Sequence, residues 1–524
     1  MRTTRVFAAL ATIAVIAAGC GSSKTSTGAG TTKAATVTSA AASATTSAGA
    51  ASAGTTTASS AAATVTTAAG GGTASGSTWC STPINTTLDA DSGTNAGWTE
   101  WVLKCAEAKP LKAEGEAISL GAITPEGDPA GSFPEWGVGI RAAVKYVNEE
   151  LGGVGADYKT GKPGRPVKVD ICTTAITPGD SQRCANEVAA KKPFAAIRNI
   201  NFFGNDLPIL DAAGIVSISA SLVTAADWTS ASTLGIAAGG GCVGAHTALV
   251  DYMVNTLGKK RIAVPWADTP PGVVCYHDLE KKPLNILGGK TPGPAEAFNK
   301  VPGLEHIGVP IKPGQADMTP QVTQVLDFKP DGILFSAQGA DCWTLVNTLV
   351  KLGWKAADTP LLMSGACIDD TKALAAGDAA KGIYFLGSSP ARSDTVDPLG
   401  QYEGKVMLDR MTKYGNKEDA AKGFGINGFG SLVNAVFLMT HSADKAGGVD
   451  KLTKENFTAF VKATTKEHVF LGTPLNCAGA SAPYVTVCSP FVTVTQWDGA
   501  KYVTKKKNLN STFIVKGTPI DFGK

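Results

Sequence analysis

Apolar runs of strand length alternate with amphipathic helical stretches along most of this chain, in two successive series. That alternation restricts it to parallel sheets covered by helices. The first unit spans 117–150. An apolar run at 117–123 is followed by a loop carrying Pro125, Gly127, Asp128, Pro129, Gly131 and Pro134. Trp136, Ile140, Val144 and Val147 then recur at helical spacing, with Arg141, Lys145 and Glu149 on the other face. Further strands are predicted at 166–171, 194–198 and 215–219, with helices at 180–191 and 207–213. Gly239, Gly240 and Gly241 make a natural crossover. The second series places strands at 261–265, 305–309, 332–336, 361–364 and 382–387, with helices at 245–257, 274–287, 319–327 and 341–352. Long helices are predicted at 398–414, 428–443 and 454–462. The tail changes character: 484–487 and 491–497 read as antiparallel strands, with Asp498-Gly499 as the hairpin turn. Two series imply an α/β chain of two lobes, each a parallel sheet flanked by helices, with a ligand cleft between them.

The region before the first strand is of another kind. Arg2 and Arg5 precede an apolar core at 6–18, and Ala17-Ala18-Gly19-Cys20 closes it, the layout of a secretory signal. The core is shorter than the ~20 residues a membrane span needs. The small residues before Cys20 make the segment resemble a bacterial lipoprotein signal. That resemblance implies lipidation of Cys20, palmitate included, and an exported protein anchored to the outer face of the cell membrane. Residues 21–78 are almost entirely Ser, Thr, Ala and Gly, with Lys24 and Lys33 as the only charges. Such a segment cannot bury enough surface to order itself and reads as a tether averaging about 40 Å end to end. Residues 79–114 read as an appendage whose helical piece, flanked by Trp98 and Trp101, packs on the outside.

Setting Cys20 aside leaves ten cysteines, an even set that reads as five disulfides in an exported chain. Spacing leaves the connectivity open. The simplest assignment pairs neighbours: Cys80 with Cys105, Cys172 with Cys184, Cys242 with Cys275, Cys342 with Cys367, and Cys477 with Cys488. With no CxxC and no adjacent Cys/His cluster, no metal site is expected. The five histidines are scattered, without HExxH, and there is no GxSxG elbow or Walker motif. Gly137-Val138-Gly139 is a poor dinucleotide fingerprint, because Ala142 stands in the third glycine's place; helix packing is the better reading. The motifs thus give catalysis little support, and no cofactor is expected. A net charge of +3 predicts no attraction to nucleic acid.

The residues 120–148 (LGAITPEGDPAGSF, then GIRAAVKYVN), DAAGIVSIS at 211–219, GKKRIAV at 258–264, LVKLGWK at 349–355, GDAAKGIYFLG at 377–387, GTPLN at 472–476 and TQWDG at 495–499 occur in a telling order. Together they resemble type I periplasmic binding proteins, in the leucine/isoleucine/valine-binding branch that serves ABC importers. The resemblance implies three crossovers at a hinge, with lobe one at 115–236 plus 388–469 and lobe two at 237–387 plus 470–524. It implies closure on a small molecule and an ABC permease as partner. It also places the ligand site at Phe133 or Trp136, Asn201, Phe202, Phe203, Ser219, Ser221 and Thr224 in lobe one. In lobe two it points to Trp266, Asp268, Gln338, Asp341 and Ala366. Asp268 and Asp341 also read as helix caps.

Amino-acid binders of this branch carry an acidic residue after the strand corresponding to 361–364, where it meets the ligand's ammonium. Here that place reads Gly365-Ala366-Cys367, and the usual Tyr-Gly after 261–265 is Pro271-Gly272. A branched-chain amino acid is therefore not the expected ligand. The aromatics Phe133, Phe202, Phe203 and Trp266 suit an apolar or aromatic body, with Ser221, Asn201 and Gln338 for polar ends. An amino-acid derivative, an amide or an aromatic acid fits. A receptor-like sensor coupled to a signalling partner is the alternative reading. An exported enzyme is a further one, opposed by the missing nucleophile and base.

Overall fold

The computed structural model describes residues 79–128, 132–236, 241–290, 299–336, 339–387 and 398–510. The signal at 1–20 with Cys20, the tether at 21–78, and Gln338 lie outside them. Two sheets organise what is described. The first contains β1 (Ile118–Pro125), β2 (Val167–Thr174), β3 (Ala195–Arg198), β4 (Val216–Ser219) and β5 (Thr233–Leu234), in the order β2-β1-β3-β4-β5 and parallel throughout. β1 lies inside this sheet and pairs on both sides, Leu120 standing opposite Val169 and Ala195. A strand covered on both faces has no polar side to show, so it reads as one apolar run.

The second sheet contains β6 (Arg261–Ala267), β7 (Glu305–Ile311), β8 (Gly332–Phe335), β9 (Leu361–Ser364), β10 (Tyr384–Gly387), β11 (Phe491–Trp497) and β12 (Tyr502–Asn510). Its order is β12-β11-β10-β9-β8-β6-β7. β6 to β10 run parallel, and β11–β12 adds an antiparallel hairpin at the edge. β11 thus pairs with β12 downstream of it and with β10 on its other side. Residues 484–487, expected to be a strand, contribute only a bridge from Val487 to Gly235. They are occupied elsewhere: the Thr486 hydroxyl donates to the Asp227 carbonyl at 2.9 Å, tying this segment to the end of the first sheet.

After β10 the chain returns to the first sheet. Phe429, Leu432 and Val436 of the helix Gly423–Ala446 share one core with Leu120, Trp136, Ile140 and Tyr146. That helix is long and apolar enough to cross a membrane, but most of it is buried inside the fold. It packs on the helix Pro134–Glu149 at glycines. A Cβ at Gly139 would meet the Gly425 carbonyl oxygen at 2.4 Å, and one at Gly428 would meet that of Trp136 at 2.2 Å. Gly139 therefore serves close helix packing, whereas a Cβ at Gly137 would meet the Glu126 carboxylate at 2.3 Å. The N-terminal appendage is not external. Its helix Ala96–Ala108 buries Trp101, Val102, Leu103 and Cys105 in the same core, and Trp98 meets the Phe437 ring edge-on. Its apolar side continues through Leu111 and Tyr158, so it completes the first lobe.

Four disulfides join Cys80 to Cys105, Cys172 to Cys184, Cys342 to Cys367 and Cys477 to Cys488. The expected fifth is absent: Cys242 and Cys275 are unbonded thiols.

The carboxyl ends of β3 and β4 are tied by a buried ionic triad. Arg198 donates through Nε and Nη2 to Asp206, at 2.5 and 3.0 Å, and through Nη1 to Asp227 at 2.8 Å. All three side chains are essentially inaccessible to water. Replacing Arg198 leaves two carboxylates buried without their counter-ion, a change that costs about 3–5 kcal/mol when a buried pair is broken. Arg198→Met is expected to lower the unfolding free energy by about that amount in a urea titration.

Candidate functional site

The carboxyl ends of both sheets face one cleft, as expected for ligand sites in open α/β sheets. Ile200 and Phe202 follow β3, Ala220 and Ser221 follow β4, and Thr269 follows β6. Ser336 follows β8, and Gly365, Ala366 and Ile368 follow β9. Phe133 lines the cleft from the loop after β1 and stacks on Phe424, with ring centroids 4.1 Å apart. Phe424 and Asn427 open the helix Gly423–Ala446. The cleft is open on one side, and its cavity volume is about 150 Å³. Most of the lining is apolar, and among the described residues no Asp, Glu, Lys or Arg lines it.

The lobes touch beside this cleft through main chain. Gly423 N–H donates to the Ile368 carbonyl at 3.2 Å, and Asp370 N–H to that of Ala421 at 3.3 Å. A Cβ at Gly423 would lie 2.3 Å from the Gly365 carbonyl oxygen, so the approach depends on glycine. Just behind it stands Glu135. Burial raises its carboxyl to about 7; its own backbone hydrogen bond and Lys422 oppose the rise, while Asp419 and Asp369 add to it.

The expected site residues divide. Phe133, Phe202, Ser221 and Ala366 line the cleft. Trp136 does not; it is fully buried in the lobe core and donates through Nε1 to Asn427 Oδ1 at 2.9 Å, orienting a residue that does. Asn201 is turned into its own loop, donating to Ser181 at 2.6 Å and accepting from the Phe203 and Gly204 amides. Phe203 sits half-buried in that turn, outside the lining. Ser219 is buried within the sheet as the last residue of β4. Thr224 caps a helix through a reciprocal bond with Asp227. Trp266 stacks on Tyr276 at 5.2 Å within the second lobe's core, on the side of β6 that packs against the segment Val274–Lys281. Asp268 is exposed, and the cap expected of it is supplied by Thr269, whose hydroxyl accepts from Gly272 N–H. Asp341 neither lines the cleft nor caps its helix; it accepts twice from the Gly314 amide. Burial raises its carboxyl, and that amide opposes the rise.

One constellation escaped the sequence. Cys242, His246 and Cys275 bring their donor atoms within 4.8 Å of one another in the cleft wall. These residues are not adjacent in the sequence; the fold brings them together. The signal was the four-residue step from Cys242 to His246, one helical turn, with Cys275 arriving from a separate segment. His246 Nδ1 lies 2.9 Å from Glu280 Oε1. Burial disfavours the charged imidazole, but hydrogen bonds to Cys242 and Glu280 outweigh it and push its pKa up to about 10. The bond from Cys275 draws the Cys242 thiol down to about 6, against burial, while Cys275 itself is driven up.

A family model described as periplasmic binding protein matches residues 117–478, and the chain belongs to that family, in its type I, leucine/isoleucine/valine-binding-like branch. Similar solved structures include a fatty acid ABC transporter substrate-binding protein from Thermomonospora curvata. It is 17% identical, with a TM-score of 0.57, covering 77% of this chain and 95% of its own. A leucine-binding protein from Thermotoga maritima is 14% identical, with a TM-score of 0.55, covering 74% and 98%. A solute-binding protein from Rhodopseudomonas palustris in complex with 4-hydroxybenzoate is 17% identical, with a TM-score of 0.56, covering 76% and 100%. No match was found among curated protein sequences.

Glu135 gives a pH dependence of known sign. A carboxyl raised to about 7 in the fold contributes stability that is complete below its unfolded pKa. That contribution is lost as pH rises toward 7. Glu135→Gln mimics the protonated form, so it is expected to melt above the parent at pH 8 and together with it near pH 4, by differential scanning fluorimetry.

Proposed function

We propose that this chain is an extracytoplasmic solute-binding lipoprotein that captures a small molecule between its lobes and delivers it to an ABC importer. One observation carries the reading: strand ends from both sheets converge on a single, mostly apolar cleft. Lobe one is assigned to 115–236 plus 388–469, completed by the appendage at 79–114, and lobe two to 237–387 plus 470–524. The ligand bridges the lobes, and its contacts with both shift the population toward the closed form.

Size and lining favour a flat, apolar body with one polar end. An apolar cavity of about 150 Å³ is large enough for benzene. The stacked Phe133–Phe424 pair and Phe202 suit an aromatic ring, with Ser221 and Asn427 near enough to meet a polar group. A free amino acid would bring an ammonium to walls without a described carboxylate. An aromatic acid or amide fits better, and one structural relative was solved with 4-hydroxybenzoate. Mass spectrometry of small molecules released on denaturing the purified protein, with thermal shift against aromatic acids, amides and amino acids, tests this. An aromatic acid is expected to raise the melting temperature. Gly423→Val, which obstructs closure, is expected to reduce that shift by more than half without lowering the melting point of the empty protein. A strong shift with leucine or valine alone would sink the ligand class.

The signal and tether complete the proposal. Cys20 carries lipid, and residues 21–78 hold the lobes away from the membrane surface. Cys20→Ser is expected to abolish palmitate labelling and to release the protein from the membrane fraction, as read by fractionation and immunoblotting.

A further inference from the structure

We propose that Cys242, His246 and Cys275 form a site for a thiophilic divalent cation of the zinc class, set in the wall of the cleft. Their donor atoms lie within 4.8 Å of one another. Tetrahedral bonds of about 2.0–2.3 Å hold donors about 3.3–3.8 Å apart, so side-chain movements of about 1 Å are enough to close on an ion.

Two kinds of helix bring the set together. Cys242 and His246 are four residues apart on the α-helix Gly241–Asp251 and share a face. Cys275 and Glu280 are five apart on the π-helical segment Val274–Lys281, whose i to i+5 bonding puts them on one side. Glu280 is the orienting group. Its Oε1 takes His246 Nδ1 at 2.9 Å, and the Ser336 hydroxyl reaches both. That leaves Nε2 for the ion, the carboxylate–histidine–metal arrangement that fixes the tautomer of a metal ligand. Glu280 is fully buried, and its Oε2 has no hydrogen-bond partner among the described residues. The His246 imidazole pairs with this carboxylate, so an ion that replaces the Nε2 proton keeps positive charge beside it.

The redox setting points the same way. Four disulfides mark an oxidising compartment, and only this pair is unbonded in the described residues. Coordination withdraws thiolates from exchange and so keeps neighbouring cysteines reduced there. Binding releases the Cys275 S–H proton and the proton held between His246 Nε2 and Cys242 Sγ, and transfers no electrons. Two cysteines and one histidine leave a fourth position, which faces the cleft because all three ligands line it.

The test uses the full chain, exported and purified without reductant or chelator. Alkylation after denaturation in chelator, followed by peptide mapping, is expected to find Cys242 and Cys275 as thiols. Cobalt(II) titration is expected to give a thiolate charge-transfer band saturating at one ion per chain and displaced by zinc. Cys242→Ser and Cys275→Ser should each abolish the band. Glu280→Gln, which keeps every ligand, should weaken cobalt affinity by roughly 10–100-fold and so tests the site even if the cysteine variants fold poorly. A Cys242–Cys275 disulfide in the purified chain, or free thiols with no cobalt band, would overturn the proposal.

Discussion

Arg198 has no water with which to share its charge, and its two acidic partners have none either. The triad holds because each oxygen and nitrogen is satisfied within the fold. Asp227 accepts from Arg198 on one oxygen and from the Val223 and Thr224 amides on the other. One buried carboxylate thereby fixes the turn after β4, from which Ser221 faces the cleft, and its own carbonyl holds Thr486. Breaking such a pair costs more than the pair contributes, because a charge is stranded. The first lobe's wall of the cleft rests on that asymmetry.

A second buried anchor works at the opposite end of β1. Glu150, the residue after the helix Pro134–Glu149, accepts from Arg410, Lys413 and Tyr414 of the helix Pro398–Tyr414. Burial alone would raise its pKa; those three hydrogen bonds outweigh burial and bring it down. The early and late parts of the chain are thus joined by charge there and by glycine contact near Trp136. The cleft lies at the glycine end, where the helices can approach closely enough to set Phe133 against Phe424.

The strands were readable because burial on both faces leaves a continuous apolar run, as in 117–123 and 361–364. Side-chain direction at a strand's end was not. Trp136 and Trp266 are large, apolar and adjacent to the cleft-forming loops, and both turn into cores. Phe424 and Asn427 were missed because the helix was expected to start only at Gly428, whereas Gly423 and Gly425 permit an earlier start packed against another backbone. The Cys/His cluster was hidden for a different reason. Its members are neighbours only after an α-helix and a π-helical segment have been folded together, and neither segment alone carries a recognisable motif.

The contact between the lobes beside the cleft consists of amides and carbonyls, Gly423 with Ile368 and Asp370 with Ala421. Side chains do not define it, so it survives drift of nearly every surface residue around it. It also makes the backbone itself a reporter. If the lobes close on ligand as proposed, exchange at the Gly423 and Asp370 amides would slow with closure, turning two main-chain protons into a measure of cleft occupancy that needs no label and no knowledge of the ligand.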